Sequence, residues 1–148
     1  MKETKDVTFL LVDDDEVDRQ GVIRSFRKAK LSHQVVEATD GIQALEKLRG
    51  ESDNEPVPRP YIILLDLNMP RMSGIEFLKI IRNDPKLKSS IVFVTTTSSS
   101  QRDKAEAYDL NVAGYVIKGD IGNDNSISQM VVMLEQYWRI VELPMNGV

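Results

Sequence analysis

The sequence predicts an α/β fold in which helices cover both faces of a parallel sheet. Short, continuous apolar runs such as Phe9-Leu10-Leu11-Val12 and Tyr61-Ile62-Ile63-Leu64-Leu65 have the composition of strands buried on both faces. Strand and helix patterns alternate five times along the chain, the order that generates parallel pairing. With 148 residues, 41% hydrophobic and 28% charged, the chain can build one substantial core and carries no signature of disorder.

The first strand is expected over Thr8 to Val12. A helix follows with Asp15 as N-cap and Val17, Val22, Phe26 and Ala29 on its inner face; Gly21 weakens it slightly. The second strand is Gln34 to Ala38, after which Asp40 caps a helix carrying Ala44, Leu45 and Leu48. Gly50 to Pro60, with Pro56, Pro58 and Pro60 among polar residues, reads as a long solvated loop. The third strand, Tyr61 to Leu65, runs into Asp66, and Ile75, Leu78 and Ile81 mark the third helix before an Asp84-Pro85 turn. The fourth strand is Ile91 to Val94, ending in the hydroxyl run Thr95 to Ser100. The fourth helix, Gln101 to Leu110, has the weakest amphipathic pattern, with Ala105 and Tyr108 facing inward. The fifth strand, Gly114 to Ile117, is followed by Lys118. In the fifth helix Ile127, Met130, Val131, Leu134, Tyr137, Trp138 and Val141 recur at steps of three and four. A single domain over 1–148 is expected, with a core of about 7–141 and a short tail at 142–148.

Composition excludes several classes of function. The net charge of −4 without a basic cluster argues against a nucleic-acid surface. No cysteine means no disulfide and no thiolate metal site, and no apolar stretch is long enough for a membrane span. These features predict a cytoplasmic protein without membrane contact.

Parallel strands end on one side of the sheet, which is where open α/β folds place their ligands. There the sequence sets Asp13-Asp14, Asp66, Thr95 and Lys118. Three clustered carboxylates repel one another unless a cation intervenes, and Mg²⁺ suits an all-oxygen ligand set. The combination fits phosphoryl transfer to a carboxylate. Asp66 is the expected nucleophile, Asp13 and Asp14 the metal ligands, and Thr95 and Lys118 the contacts to phosphoryl oxygens. The Asn68 backbone carbonyl is placed to complete the metal shell. Taken singly, each group has a plainer reading: Asp13-Asp14-Asp15 as a helix-capping run, Thr95 as the start of a loop, Lys118 as a surface lysine.

In sequence order, Leu11-Val12-Asp13-Asp14, Leu65-Asp66-Leu67-Asn68-Met69-Pro70-Arg71-Met72-Ser73-Gly74, Val94-Thr95 and Gly114-Tyr115-Val116-Ile117-Lys118 resemble the receiver domain of two-component response regulators over nearly the whole chain. That resemblance implies a flavodoxin-like doubly wound (βα)5 fold with strand order 2-1-3-4-5. It implies Asp66 as phosphoacceptor, and Asp13, Asp14, Asp66 and the Asn68 carbonyl around Mg²⁺. It also implies Lys118 on the phosphate, and Thr95 with Tyr115 as a conformational switch. The hydroxyl run and the Asn83-Asp84-Pro85-Lys86-Leu87-Lys88 stretch are similar to stand-alone regulators paired with phytochrome-type kinases. The implied phosphodonor is a sensor histidine kinase or histidine phosphotransfer protein. The surface of the fourth helix, fifth strand and fifth helix would contact a downstream protein or a second copy of the chain.

Two positions depart from the family pattern. Gly119 follows Lys118 where proline is usual, and Thr96 is larger than the alanine or glycine often found after the switch threonine. A hydrolase with an aspartate nucleophile is the main competing class. It calls for a second carboxylate two residues past Asp66, where this chain has Asn68. His33, the only histidine, is expected in a loop, and Trp138 as a packing residue.

Overall fold

A computed structural model describes residues 7–30, 33–119 and 125–145, with side chains of 125–127 outside that description. Five strands and five helices alternate: β1 (Thr8–Val12), α1 (Glu16–Lys28), β2 (Val35–Ala38), α2 (Gly41–Arg49), β3 (Tyr61–Leu65), α3 (Gly74–Arg82), β4 (Ile91–Thr96), α4 (Gln101–Asp109), β5 (Gly114–Ile117) and α5 (Asn125–Ile140). The strands form one parallel sheet in the order β2-β1-β3-β4-β5, as expected.

Alternation along the central strands divides the core into two layers. Leu10 and Val12 of β1, Ile63 and Leu65 of β3 and Val92 and Val94 of β4 pack with Ala44 and Leu48 of α2, Phe77, Leu78 and Ile81 of α3 and Ala107 of α4. Phe9, Leu11, Ile62, Leu64 and Phe93 turn the other way, onto Val22 and Phe26 of α1 and Met130, Val131, Leu134 and Trp138 of α5. With both faces covered, β1 and β3 are buried at every position, which explains their unbroken apolar runs.

Local chemistry sets the helix boundaries. The Asp15 side chain accepts the Val17 and Asp18 N–H groups, Asp40 accepts that of Gln43, Ser73 that of Glu76 and Ser100 that of Asp103. Gly50 ends α2 at φ +69°, a left-handed conformation that favours glycine.

Several expectations require correction. Val17 is 74% exposed and Ala29 is exposed, because these residues sit in the first turn and at the C-cap, beyond the stretch that α1 lays on the sheet. In α4, Ala105 is exposed and Tyr108 is 48% exposed, whereas Ala107 is fully buried. The helix docks through the Ala107 and Leu110 side, and two small or aromatic residues at 105 and 108 gave the wrong phase. β4 runs two residues further than expected, so Thr95 and Thr96 belong to the strand and pair with Val116 and Ile117 of β5. β2 begins one residue later than expected, at Val35. The 50–60 loop is not wholly solvated: Val57 enters the core, its N–H bonded to the Lys47 carbonyl. His33 lies in a loop as expected, half-buried, with its ring against those of Phe9 and Trp138 and 3.0 Å from Glu135 Oε2. The side chain of the expected inward residue Ile127, the 120–124 loop and 146–148 lie outside what the structure describes. No helix among the described residues is long and apolar enough to cross a membrane.

Candidate functional site

Three backbone hydrogen bonds align the strand ends. The Asp13 N–H binds the Ala38 carbonyl at 3.0 Å, the Asp66 N–H the Val12 carbonyl at 2.9 Å, and the Lys118 N–H the Thr96 carbonyl at 2.8 Å. Asp13, Asp66 and Lys118 therefore leave the same edge of the sheet in fixed register. Gly74 completes the floor: its N–H binds the Leu67 carbonyl at 2.9 Å, and a Cβ there would lie only 2.5 Å from the Asp66 carbonyl oxygen. Glycine is needed because α3 starts directly beneath the chain that carries Asp66.

The acidic groups meet as the sequence suggested. Asp13, Asp14 and Asp66 each contribute a carboxylate oxygen to a group whose members all lie within 4.8 Å of one another. Asp13 and Asp66 are buried and Asp14 is exposed, so the cluster opens toward solvent on one side. Asp13 Oδ1 accepts the Asp15 N–H at 2.9 Å, and Asp66 Oδ1 accepts the Asn68 N–H at 3.3 Å. The all-oxygen donor set suits a hard divalent cation such as Mg²⁺ or Mn²⁺.

Lys118 supplies the positive charge. Its Nζ lies 2.7 Å from Asp13 Oδ2, 2.8 Å from Asp18 Oδ2 and 3.8 Å from Asp66 Oδ2. Burial disfavours the ammonium, but the hydrogen bonds it donates to the Asp13 and Asp18 carboxylates outweigh it and hold its pKa above the ordinary lysine value. One lysine does not neutralise the cluster. Burial raises the pKa of Asp13 against the opposing hydrogen bond from Lys118. It raises that of Asp66 against the Lys118 charge and hydrogen bonds from Asn68 and Thr96. Two buried carboxylates held above their usual range lack positive charge, and a divalent cation fits that deficit.

The hydroxyl at the site comes from Thr96, not from Thr95. Thr96 shares the sheet face of Val92 and Val94, whereas Thr95 shares that of Phe93 toward α1 and α5. The Thr96 Oγ1 accepts the Ser98 N–H at 3.2 Å and hydrogen-bonds the Asp66 carboxylate. Since a carboxylate only accepts, the hydroxyl proton points to Asp66. Tyr115 packs on the same face, and its hydroxyl donates to the Ser98 carbonyl at 3.0 Å, linking β5 to the β4–α4 loop.

Sequence reasoning missed two residues here. Thr96 was hidden because Ile91 to Val94 is apolar throughout, so no alternation shows which threonine faces Asp66. Asp18 was hidden because an acid in the first turn of a helix is ordinary. Only the fold brings it to Lys118, 100 residues away.

Comparison with known proteins identifies the family of the chain. The model of the response regulator receiver domain matches residues 9–131. Response regulator Rcp1 of Synechocystis sp. is 35% identical over 136 residues, 91% of each chain. The crystal structure of its Mn(2+)-bound form has a TM-score of 0.80 and covers 93% of this chain and 98% of that one. The phosphorylated cyanobacterial phytochrome response regulator RcpA has a TM-score of 0.83 at 34% identity, covering 95% of this chain and 99% of that one. The chain belongs to the family of response regulator receiver domains.

Proposed function

We propose that this chain is a phosphorylatable signalling switch whose phosphoacceptor is Asp66. One observation carries the reading: Asp66 lies in a three-carboxylate group within 4.8 Å, with the Lys118 ammonium 3.8 Å from its Oδ2. The Mn(2+)-bound form of Rcp1 and the phosphorylated form of RcpA support it by likeness. Asp13, Asp14, Asp66 and the Asn68 backbone carbonyl would hold Mg²⁺. Bound there, Mg²⁺ supplies charge that offsets the repulsion between an anionic nucleophile and an anionic phosphoryl group.

The residues of the chain divide the remaining work. An Asp66 oxygen forms the bond to phosphorus as the donor's bond to its leaving group breaks. Lys118 has three N–H donors, two of them on Asp13 and Asp18, which leaves one for a phosphoryl oxygen beside Asp66. The Thr96 hydroxyl, already on Asp66, turns its proton to the phosphoryl group. The role expected of Thr95 thus passes to Thr96. The phosphoryl group carries about two negative charges, a net gain of about one, because the Asp66 carboxylate gives up its own charge on forming the acyl phosphate. The pull on Thr96 reaches the β4–α4 loop through Ser98, and Tyr115 on that loop's Ser98 carbonyl passes it to β5.

The donor is a sensor histidine kinase or histidine phosphotransfer protein, and the chain works in the cytoplasm as one domain. Output runs through the α4–β5–α5 surface, where Tyr108, Ile117, Val132 and Met133 are exposed apolar groups suited to a protein target or a second copy. A hydrolase is disfavoured by Asn68 at the position where an acid/base carboxylate would stand.

The test is incubation with Mg²⁺ and acetyl phosphate, with intact mass measured for wild type and Asp66→Asn. The reading expects a labile, Mg²⁺-dependent gain of one phosphoryl group on wild type alone. No gain, even with a cognate kinase, overturns it, and rapid turnover of phosphomonoesters would favour the hydrolase.

A further inference from the structure

We propose that Asp18 is a positioning residue for Lys118, keeping the ammonium in place when Asp13 turns to a cation, so that it serves the phosphoryl group. The inference rests on the reading of Asp66 as phosphoacceptor and Asp13 as a metal ligand. Lys118 Nζ sits between two carboxylates at nearly equal distance, 2.7 Å to Asp13 and 2.8 Å to Asp18. The two partners differ in kind. Asp13 belongs to the group of three acids able to hold a cation, and Asp18 does not. When Asp13 turns its oxygens to a cation, Asp18 is the partner that keeps Lys118 in place.

The backbone around Lys118 makes such a side-chain anchor necessary. β5 ends at Ile117, and one further backbone hydrogen bond, from the Lys118 N–H to the Thr96 carbonyl, fixes the chain. Gly119 follows, without the ring that locks a proline φ. The direction of the lysine therefore depends on what its ammonium touches. Asp18 is well supported for this task. It sits one turn before Val22, which is buried with Phe26 against the sheet, and its own N–H is held by the Asp15 cap. Without Asp18, the acidic partners of the ammonium among the described residues are Asp13 and Asp66. It would then compete with the cation at Asp13 and neutralise the nucleophile at Asp66.

A plain ion pair at the site's rim is the alternative, and a double-mutant cycle separates the two. The full chain is phosphorylated with acetyl phosphate and Mg²⁺, and the rate at saturating donor is measured apart from the half-saturating donor concentration. Mg²⁺ affinity is measured separately by calorimetry. Asp18→Ala and the near-isosteric Asp18→Asn should each slow the saturated rate about three- to tenfold and weaken Mg²⁺ about threefold, as expected of one partly exposed charged contact. Asp18→Glu should recover most of both losses. In a Lys118→Ala background, Asp18→Ala should change neither quantity. Wild-type values in Asp18→Asn, or an equal loss in the Lys118→Ala background, would overturn the proposal. A wild type that takes no phosphate would sink the phosphoacceptor reading instead, and the Mg²⁺ titrations would still decide the role of Asp18.

Discussion

Replacing Thr96 by valine tests the most specific feature of the site. The side chain is fully buried, and its hydroxyl joins two groups: it accepts the Ser98 N–H and donates to the Asp66 carboxylate. Valine keeps the shape and removes both bonds. A hydrogen bond to a charged group contributes about 1.5–3 kcal/mol, and the added buried methyl returns up to about 1 kcal/mol, so Thr96→Val should destabilise by about 1–2 kcal/mol. For a chain of this length that lowers the melting temperature by about 3–6 °C. The functional effect should be larger, because Asp66 loses a contact that favours its ionised form and the phosphoryl group loses a donor. Phosphorylation by acetyl phosphate should slow about tenfold or more. Thr95→Val, on the opposite face of β4, should leave that rate within about twofold. The pair is compared by calorimetric melting and by the rate of Mg²⁺-dependent mass gain. A large loss in Thr95→Val with a normal rate in Thr96→Val would refute the assignment of faces.

Gly74→Ala should cost about 1–3 kcal/mol and slow phosphorylation, since its Cβ would stand 2.5 Å from the Asp66 carbonyl oxygen and 2.7 Å from the Leu67 Cα, backbone that cannot yield freely; denaturant midpoints together with phosphorylation rates check both effects. The acidic cluster predicts a pH effect of definite sign. Burial raises the pKa of Asp13 and Asp66 above 3.8, so above that pH the folded state holds more protons than the unfolded one. Their contribution is present below 3.8 and lost as pH rises through the raised folded values, so stability without divalent cation should rise on acidification through those values. Asp66→Asn should flatten that rise in melts followed across pH. Mg²⁺ at about 100 times its dissociation constant should add about 2.7 kcal/mol at neutral pH, and the Asp13→Asn variant should lose most of this gain in the same melts.

Much of this architecture could be read from the chain, for reasons that differ by element. The strands Tyr61–Leu65 and Thr8–Val12 were legible because burial on both faces demands unbroken apolar runs, and the carboxylates after them stand out by contrast. The caps at Asp15 and Asp40 were legible because capping is a local interaction between a side chain and the next turn. Phase was harder. In α4 one fully buried alanine and a half-buried leucine are the whole apolar face, so Ala105 and Tyr108 offered an equally good stripe. β4 posed the same difficulty in a strand, where apolar residues on both faces concealed which threonine turns toward Asp66. Contacts between distant segments lay beyond local pattern altogether. Asp18 with Lys118, Asp40 with Arg71 and His33 with Glu135 are each set by tertiary packing.

The central claim is that the phosphoryl group is carried by the carboxylate of Asp66 and by no other acid in the cluster. Borohydride reduction of the phosphorylated protein, followed by peptide mapping, reads that position directly, because hydride reduces an acyl phosphate and spares free carboxylates. One reduced residue is expected, at position 66, formed only when Mg²⁺ is present during phosphorylation. Reduction at Asp13 or Asp14, or phosphate that resists hydride and stays bound as an ester of the 95–100 hydroxyl run, would contradict the claim.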